Sequence, residues 1–494
     1  MPFIVTRNKD LCLRSFDREG CCWYKCDDKD DEQCKKCYSC YNNCPNEVYD
    51  VINDQPFPTR MESCAGCRIC AKMCPNDAIS VSAVPADPRA MWTDPDMDEI
   101  QRKALQGNYR VRSCGVRREI PTLSELVMVP GQLAVPPVDK YREECNSQVT
   151  LGSRYAKNPL VLDTPIMIGA MSYGSLSKES KVALAIGASL SGTIANTGEG
   201  GLIPEERAAA DKLTVQYSSG RFGVSASYLR SAEAIEVKVG QGAKPGMGGH
   251  LLAEKITPEV ARVRGLPMGT DALSPCRFLD STQKGDLGKH VELLREVTDS
   301  QVPIIVKLGP GRVYDDVRLA VEAGADIVAV DGMEGGTGAA PHVVIEEQGI
   351  PTVGSLIQAV DSLNDMGVKD EVDLIMAGGI KDGAGAAKAL ALGADAVYVA
   401  TAALIAMGCR GCESCASGNC REGIATQDLK MRRRLEPKTK GERVSNFINA
   451  MNEEIKMLAQ ICGHNDIRNL NKEDLRALNT NIAALTRVKL ISEA

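Results

Sequence analysis

Twelve cysteines stand at spacings that suit redox chemistry. Cys34, Cys37, Cys40 and Cys44 form C-x2-C-x2-C-x3-C before Pro45, and Cys64, Cys67, Cys70 and Cys74 repeat the run before Pro75. Cys409, Cys412, Cys415 and Cys420 make a third group. Thiolates this close together hold iron–sulfur clusters or zinc. Zinc knuckles pair two CxxC halves, a pattern that three evenly spaced thiols before Cys-Pro do not follow. The two N-terminal runs therefore predict two 4Fe–4S clusters. In such repeats the fourth cysteine of each run ligates the other cluster. Cys34, Cys37, Cys40 and Cys74 are expected on one, and Cys64, Cys67, Cys70 and Cys44 on the other. Cys12, Cys21, Cys22 and Cys26 fit no such motif and read as free thiols.

The elements that must position these groups come next. The 494 residues leave room for two or three domains. A cysteine-containing lead (1–28) precedes an α+β ferredoxin-like domain (29–88) and a proline-broken connector (89–150). From about Pro165, short apolar runs alternate with Ala-rich helical patterns, which argues for a parallel sheet. Eight strand candidates suit an α/β fold, a (β/α)8 TIM barrel over 151–428. They are Pro165–Ser172, Gly192–Thr197, Ile235–Gly240, Gly269–Ser274, Pro303–Gly309, Asp326–Gly332, Asp373–Ile380 and Ala396–Ala402. Ala320–Val330 and Ala389–Val399 echo each other as helix end, glycine cap, aspartate and buried strand. Residues 429–494 read as a helical extension, with Asn471 starting a helix.

Composition narrows the class. The net charge of -7 and 4% aromatic content argue against nucleic-acid binding. No stretch approaches the ~20 apolar residues of a membrane span. The N-terminus lacks the basic and apolar regions of a signal peptide. Twenty cysteines without an export signal point to a reducing cytoplasm.

Barrel active sites lie at the C-terminal ends of the strands. There the sequence places Ala170–Ser177, Asn196–Gly201, Gln241–Gly249, Gly335–Gly338 and Gly378–Ile380. Glycines at successive strand ends let backbone N–H groups approach a phosphate. Lys307 ends a buried strand and needs an anion. A bound anionic cofactor at the barrel mouth would supply one. The other reading is an ion pair with Asp331 or Glu199. His342 reads as a loop residue and Arg432–Arg434 as a solvated face.

Gly169–Ser177, Asn196–Gly201, Ser219–Val224, Gln241–Gly246 and Gly335–Ala339 resemble the FMN domain of the glutamate synthases. Cys409, Cys415 and Cys420, with the tail Gly423-Ile-Ala-Thr-Gln427, resemble that family's 3Fe–4S segment. Cys412 is an extra thiol, and its ligation would make the cluster 4Fe–4S. Met247 departs from the family's usual glutamate, and Arg421-Glu422 from its Pro-Val. The resemblance implies FMN and 2-oxoglutarate, with Gln241, Lys244 and Arg264 on the oxoacid and Glu199 near the flavin. Glu199, Lys244 and Lys307 are the expected catalytic residues. Expected FMN contacts are Ala170, Met171, Ser172, Asn196, Gln216, Lys307, Gly335, Gly336, Thr337, Gly378, Gly379, Ala400 and Thr401. The implied reaction is reductive amination of 2-oxoglutarate through 2-iminoglutarate. The chain lacks a glutaminase nucleophile domain and the family's Gly-repeat β-helix, and it resembles the split archaeal form. That implies a hetero-oligomer with separate glutaminase and β-helix subunits. Electrons would come from ferredoxin or an NAD(P)H-oxidising subunit. Alternatives are an N-methylglutamate synthase-like enzyme using methylamine, or a non-catalytic electron relay.

Overall fold

The computed structural model describes residues 3–7, 38–52, 55–74, 78–83, 94–281, 283 and 285–493. Cys12, Cys21, Cys22, Cys26, Cys34, Cys37 and Pro75 lie outside them, as do the readings made on those residues.

Eight parallel strands form the barrel: β1 (Ile166–Ile168), β2 (Ala195–Asn196), β3 (Leu213–Ser218), β4 (Ala234–Lys238), β5 (Ile304–Leu308), β6 (Ile327–Asp331), β7 (Asp373–Ala377) and β8 (Ala396–Val399). From β2 to β8 each pairs with the next, and β8 pairs with β1. Ile168 N donates to Ile194 O (3.1 Å), closing the ring where β1 meets the run into β2. Strands covered on both faces read as unbroken apolar runs, as Ile304-Ile-Val and Ile327-Val-Ala-Val do. The two echoed segments behave alike. Gly324 and Gly393 take φ of 92° and 112° at their helix ends, which a side chain would resist. Asp326 then accepts from Ile304 N (2.8 Å), and Asp395 from Leu374 N (2.7 Å). Each aspartate ties the entry of its own strand to the start of the preceding one.

One expected strand is corrected and one is new. Gly269–Ser274 is not a barrel strand: Ala272–Leu273 pairs antiparallel with His250–Leu251 in a small ribbon outside the barrel sheet. The eighth strand is Leu213–Ser218, whose Thr214, Gln216 and Ser218 break its apolar run. All six of its residues are nonetheless buried. The segment between β4 and β5 is correspondingly long and carries Lys244 and Arg264.

The connector is woven into the barrel rather than strung between domains. Val111–Cys114 pairs with Thr337–Pro341 after β6, and Leu126–Met128 pairs with Leu475–Ala477. The C-terminal extension is built on helix Pro437–Ile461, which packs against helix Lys178–Leu190. Asn471 caps a single 3-10 turn, Lys472–Asp474, that leads into a strand instead of a helix. His342 begins helix His342–Glu347, with Nδ1 3.0 Å from Arg112 Nη1, so it is no plain loop residue. Arg432 is not a solvated side chain either: it is buried and bidentate to Glu179 (2.8 and 3.1 Å). No described helix is long and apolar enough to cross a membrane.

The N-terminal module pairs Phe3–Arg7 with Ile79–Ala83, and Tyr49–Ile52 with Gln55–Pro58. Val5, Val48, Tyr49, Ile79 and Val81 pack with Cys40 and Cys70 in its small core.

Candidate active site and electron-entry centre

Buried polar side chains run from the middle of the barrel to its C-terminal end. Gln216 Nε2 donates to Glu236 Oε1 (2.6 Å), while Tyr398 faces Glu236 and Asn196. Lys238 and Lys307 stand opposite each other in register at the ends of β4 and β5. Lys307 lies 3.6 Å from Asp331, the ion-pair reading of that lysine. Burial disfavours its charge, but Asp331, Glu236 and Glu199 outweigh burial and hold its pKa above the ordinary lysine value. Lys238 lies 3.0 Å from Glu199, whose other oxygen accepts from Ser274 Oγ (3.0 Å). Burial alone would raise the Glu199 pKa. Lys238, Lys244 and Arg264 overcome it and bring the carboxyl down to about 2.

Lys244 and Arg264 border this carboxylate. Lys244 Nζ donates to Ala339 O (3.1 Å), and burial together with the Lys238 charge pulls its pKa down to about 8. Arg264 is buried under the loop after β1. Its Nε and Nη2 donate to Tyr173 O (3.2 and 2.7 Å), and Nη2 also reaches Ser172 Oγ (3.1 Å). It therefore positions the 172–173 backbone as well as adding charge. Gln241 is half-buried at the end of the β4 loop, where Gly242 N donates to Asp331 (2.9 Å). Met247 is exposed.

An arc of backbone runs across the ends of β6, β7, β8 and β1. It comprises Gly335, Gly336, Thr337, Gly378, Gly379, Ala400 and Thr401, then Ala170, Met171 and Ser172. A Cβ on Gly336 would collide with Thr401 Oγ1, so the backbone there is left bare by necessity. Such an arc fits the phosphate of a flavin nucleotide. Beneath it Lys181 is fully buried. Its Nζ donates to Met171 O (2.6 Å), Asn196 O (2.8 Å) and Thr197 O (3.1 Å), and pairs with Glu206 at 2.9 Å. This one ammonium joins the exits of β1 and β2.

In the N-terminal module, Cys44, Cys64, Cys67 and Cys70 line one small, open pocket. That is the cross-run set expected from the spacing. Val48 N donates to Cys44 Sγ (3.4 Å) and Ala78 N to Cys74 Sγ (3.2 Å), the same i,i+4 contact in both runs. Burial and neighbouring thiolates push Cys67 up to about 12 and raise Cys64 and Cys70. Iron would relieve that repulsion, and the donor set fits a 4Fe–4S cluster. Among the described residues, no group of three or more His, Cys, Asp or Glu side chains is placed to hold a metal ion. A cluster stands its ligands further apart, around an iron–sulfide core.

The cysteine segment 409–420 lies between the two centres. On the barrel side, Gln427 Nε2 donates to Gly174 O and Leu176 O (3.2 and 2.9 Å), and Ser177 N donates to Ile424 O (2.8 Å). Lys255 Nζ bridges Ser175 O (3.1 Å) and Cys415 O (3.2 Å). On the other side, Asn46 Nδ2 donates to Cys412 O (3.1 Å), and Ser414 Oγ donates to Asn46 Oδ1 (2.8 Å). Asn46 is two residues from Cys44.

Sequence reasoning missed Lys238, Lys255 and Ser274. Lys238 ends a buried strand just as Lys307 does, and the same argument would have found it. The other two gain their surroundings only through distant contacts.

The conserved region of glutamate synthase matches residues 117–465, and a 4Fe–4S binding domain matches residues 58–80. A glutamate synthase large subunit-like protein of Rhizobium meliloti is 43% identical over 81% of this chain and 94% of its own. The archaeal-type glutamate synthase [NADPH] of Thermotoga neapolitana is 39% identical over 79% of this chain and 82% of its own. The archaeal glutamate synthase [NADPH] of Archaeoglobus fulgidus is 38% identical over 79% and 81%. Likeness at this level, over most of each relative, leaves one assignment: the chain belongs to the glutamate synthase family.

Proposed function

We propose that the chain is the synthase subunit of a glutamate synthase, converting 2-oxoglutarate to L-glutamate by reductive amination. The observation that carries this reading is the docking of Asn46 on Cys412 and Ser414, which joins the N-terminal thiol pocket to a segment laced to the barrel mouth. FMN, when bound, supplies hydride, and the iron–sulfur clusters supply the electrons that reduce it. Lys244, Arg264 and Gln241 hold the dicarboxylate. Ammonia adds to the 2-oxo carbon. Lys244, with its lowered pKa, gives a proton to the carbinolamine hydroxyl, which leaves as water. The product of that loss is protonated 2-iminoglutarate, whose C2 would accept the hydride to give L-glutamate. Glu199 fixes the Lys238 and Lys244 charges around the substrate. The relatives' NADPH-linked names support an NADPH-oxidising partner as donor, with ferredoxin the other candidate. Nitrogen arrives as free ammonia or from a separate glutaminase subunit.

The test is anaerobic turnover of the holoprotein with reduced ferredoxin, 2-oxoglutarate and ammonium, methylamine or glutamine. Glutamate from ammonium, with none from glutamine, is expected. N-methylglutamate as the main product would move the nitrogen donor to methylamine. A flavin spectrum indifferent to 2-oxoglutarate would leave an electron relay.

Two further results are expected. Lys244 must be charged to hold an anion, and its pKa lies near 8. Affinity for 2-oxoglutarate should hold below pH 8 and fall as pH rises through it. Lys244→Arg should move that edge upward, and an anaerobic flavin titration across pH reads both. Asn46→Ala removes two hydrogen bonds at the docking point, each worth about 1 kcal/mol. Stopped-flow reduction of the flavin should slow several-fold, and an unchanged rate would place electron entry elsewhere.

A further inference from the structure

Four lysines are buried among the described residues: Lys181, Lys244, Lys255 and Lys307. An ammonium taken out of water is costly unless an anion meets it. Lys181 has Glu206 at 2.9 Å, and Lys307 has Asp331 at 3.6 Å. Lys244 borders the charged pocket, and the proposed reaction gives it the oxoacid. Lys255 is left over. It is 6% exposed, yet among the described residues no carboxylate pairs with it.

Its position is well fixed. An ammonium carries three N–H donors. Two of them reach Ser175 O (3.1 Å) and Cys415 O (3.2 Å), and the third meets no acceptor among the described residues. Ser175 sits in a turn whose other carbonyls are also held from outside: Tyr173 O by Arg264, and Gly174 O and Leu176 O by Gln427. Cys415 O also accepts from Gly418 N (3.2 Å), and Gly418 lies bare against the lysine stem, where a Cβ would stand 3.5 Å from Cγ. Arg264, on the neighbouring turn carbonyl, adds a second cation and deepens the need for an anion.

The segment that receives the ammonium has the chemistry to supply one. Cys409, Cys412, Cys415 and Cys420 are buried or half-buried, and Gly411 N donates to Cys409 Sγ (3.5 Å). Thiolates grouped in this way and met by a backbone N–H suit an iron–sulfur centre, which is an anion once its thiolates are counted. We propose that Lys255 is the charge partner of the iron–sulfur centre in segment 409–420 and raises the reduction potential of that centre. The inference rests on the reading of 409–420 as a cluster segment, and it needs no choice among the four thiols. A fixed positive charge favours the more negative, reduced form of the centre, so its removal lowers the potential. Lys255 acts through the centre and is a positioning residue. Asn46 docks the same segment on the N-terminal module, so a raised potential there draws electrons toward the barrel.

The experiment is an EPR-monitored redox titration of the anaerobically purified full-length protein, with iron and flavin analysis. The parent should hold more than the about eight irons of two 4Fe–4S clusters. Lys255→Met should shift the reduction equilibrium of the third centre toward its oxidised form by about tenfold or more, which is about 59 mV per tenfold for a one-electron couple. The potentials of the N-terminal clusters and the response of the flavin to 2-oxoglutarate should match the parent. Lys255→Arg keeps the charge and should titrate close to the parent. A parent with only about eight irons would mean that the segment holds no cluster, and that reading and this inference fail together. A third centre whose potential ignores Lys255→Met overturns the Lys255 assignment alone. So does a variant that loses 2-oxoglutarate affinity at unchanged potential, because the ammonium then serves the oxoacid. Should Lys255→Met not load its third centre, Lys255→Arg decides. Loading at the parent's potential supports the role of charge, and failure to load overturns it, because shape rather than charge is then what the site requires.

Discussion

Lys181→Met is expected to melt well below the parent and to lose flavin on dilution. The ammonium and Glu206 are both fully buried, and burial lowers the lysine pKa and raises that of the acid. A pair in that position contributes little net attraction, yet removing one partner strands the other. The typical cost is about 3–5 kcal/mol. Here the loss also leaves the carbonyls of Met171, Asn196 and Thr197 without their shared donor. Those carbonyls sit where β1 and β2 deliver the loops around the barrel mouth. Lys181→Met/Glu206→Leu should recover part of the melting temperature, because no charge is then stranded. It should not recover flavin retention, because the cradle stays empty. Intrinsic flavin fluorescence on heating reads both quantities. A single variant that melts like the parent would mean that the cradle holds nothing in place.

The second large effect concerns the oxoacid. Lys244→Ala and Arg264→Ala should each weaken 2-oxoglutarate binding by about 2–5 kcal/mol, the usual cost of leaving a buried charge without its partner. At about 1.4 kcal/mol per tenfold, this means a loss of at least about thirtyfold. The variants should differ in a second respect. Among the described residues Lys244 meets protein only through Ala339 O and nearby charge, so its alanine variant should keep its flavin. Arg264 holds Tyr173 O and Ser172 Oγ, so its alanine variant should also bind FMN more loosely. Anaerobic absorbance titrations give both constants. If both variants titrate like the parent, the oxoacid binds elsewhere and the relay reading gains.

Legibility in the sequence followed locality. Cysteine runs at C-x2-C spacing declare themselves because a cluster takes its ligands from one short stretch. The meeting of Cys44 with Cys64, Cys67 and Cys70 at one pocket was legible because the repeat itself implies an exchange. Seven of eight barrel strands were readable as apolar runs between helices. Leu213–Ser218 was not, because three of its alternate residues are polar. Gly269–Ser274 misled because glycine, proline and a short apolar stretch also describe a surface ribbon. The charged site is a harder case. Glu199, Lys244 and Arg264 gather in a pocket because a long segment between β4 and β5 folds back over the mouth. Nothing in the spacing of Lys238 or Ser274 announces Glu199, the partner that both meet. Arg432 was read as solvated from its neighbours' charge, whereas its burial depends on Glu179, far away in sequence.

The stitching of the connector has a dynamic consequence. Many redox proteins carry electrons on a tethered carrier that swings between donor and acceptor, and solvent friction then sets the pace. Here Val111–Cys114 is a strand of the barrel's own periphery, and Asn46 is hydrogen-bonded to the cysteine segment. With the centres held by these contacts, the intramolecular hop should proceed at one rate in buffer and in concentrated glycerol. Only delivery of reductant from outside should slow with viscosity.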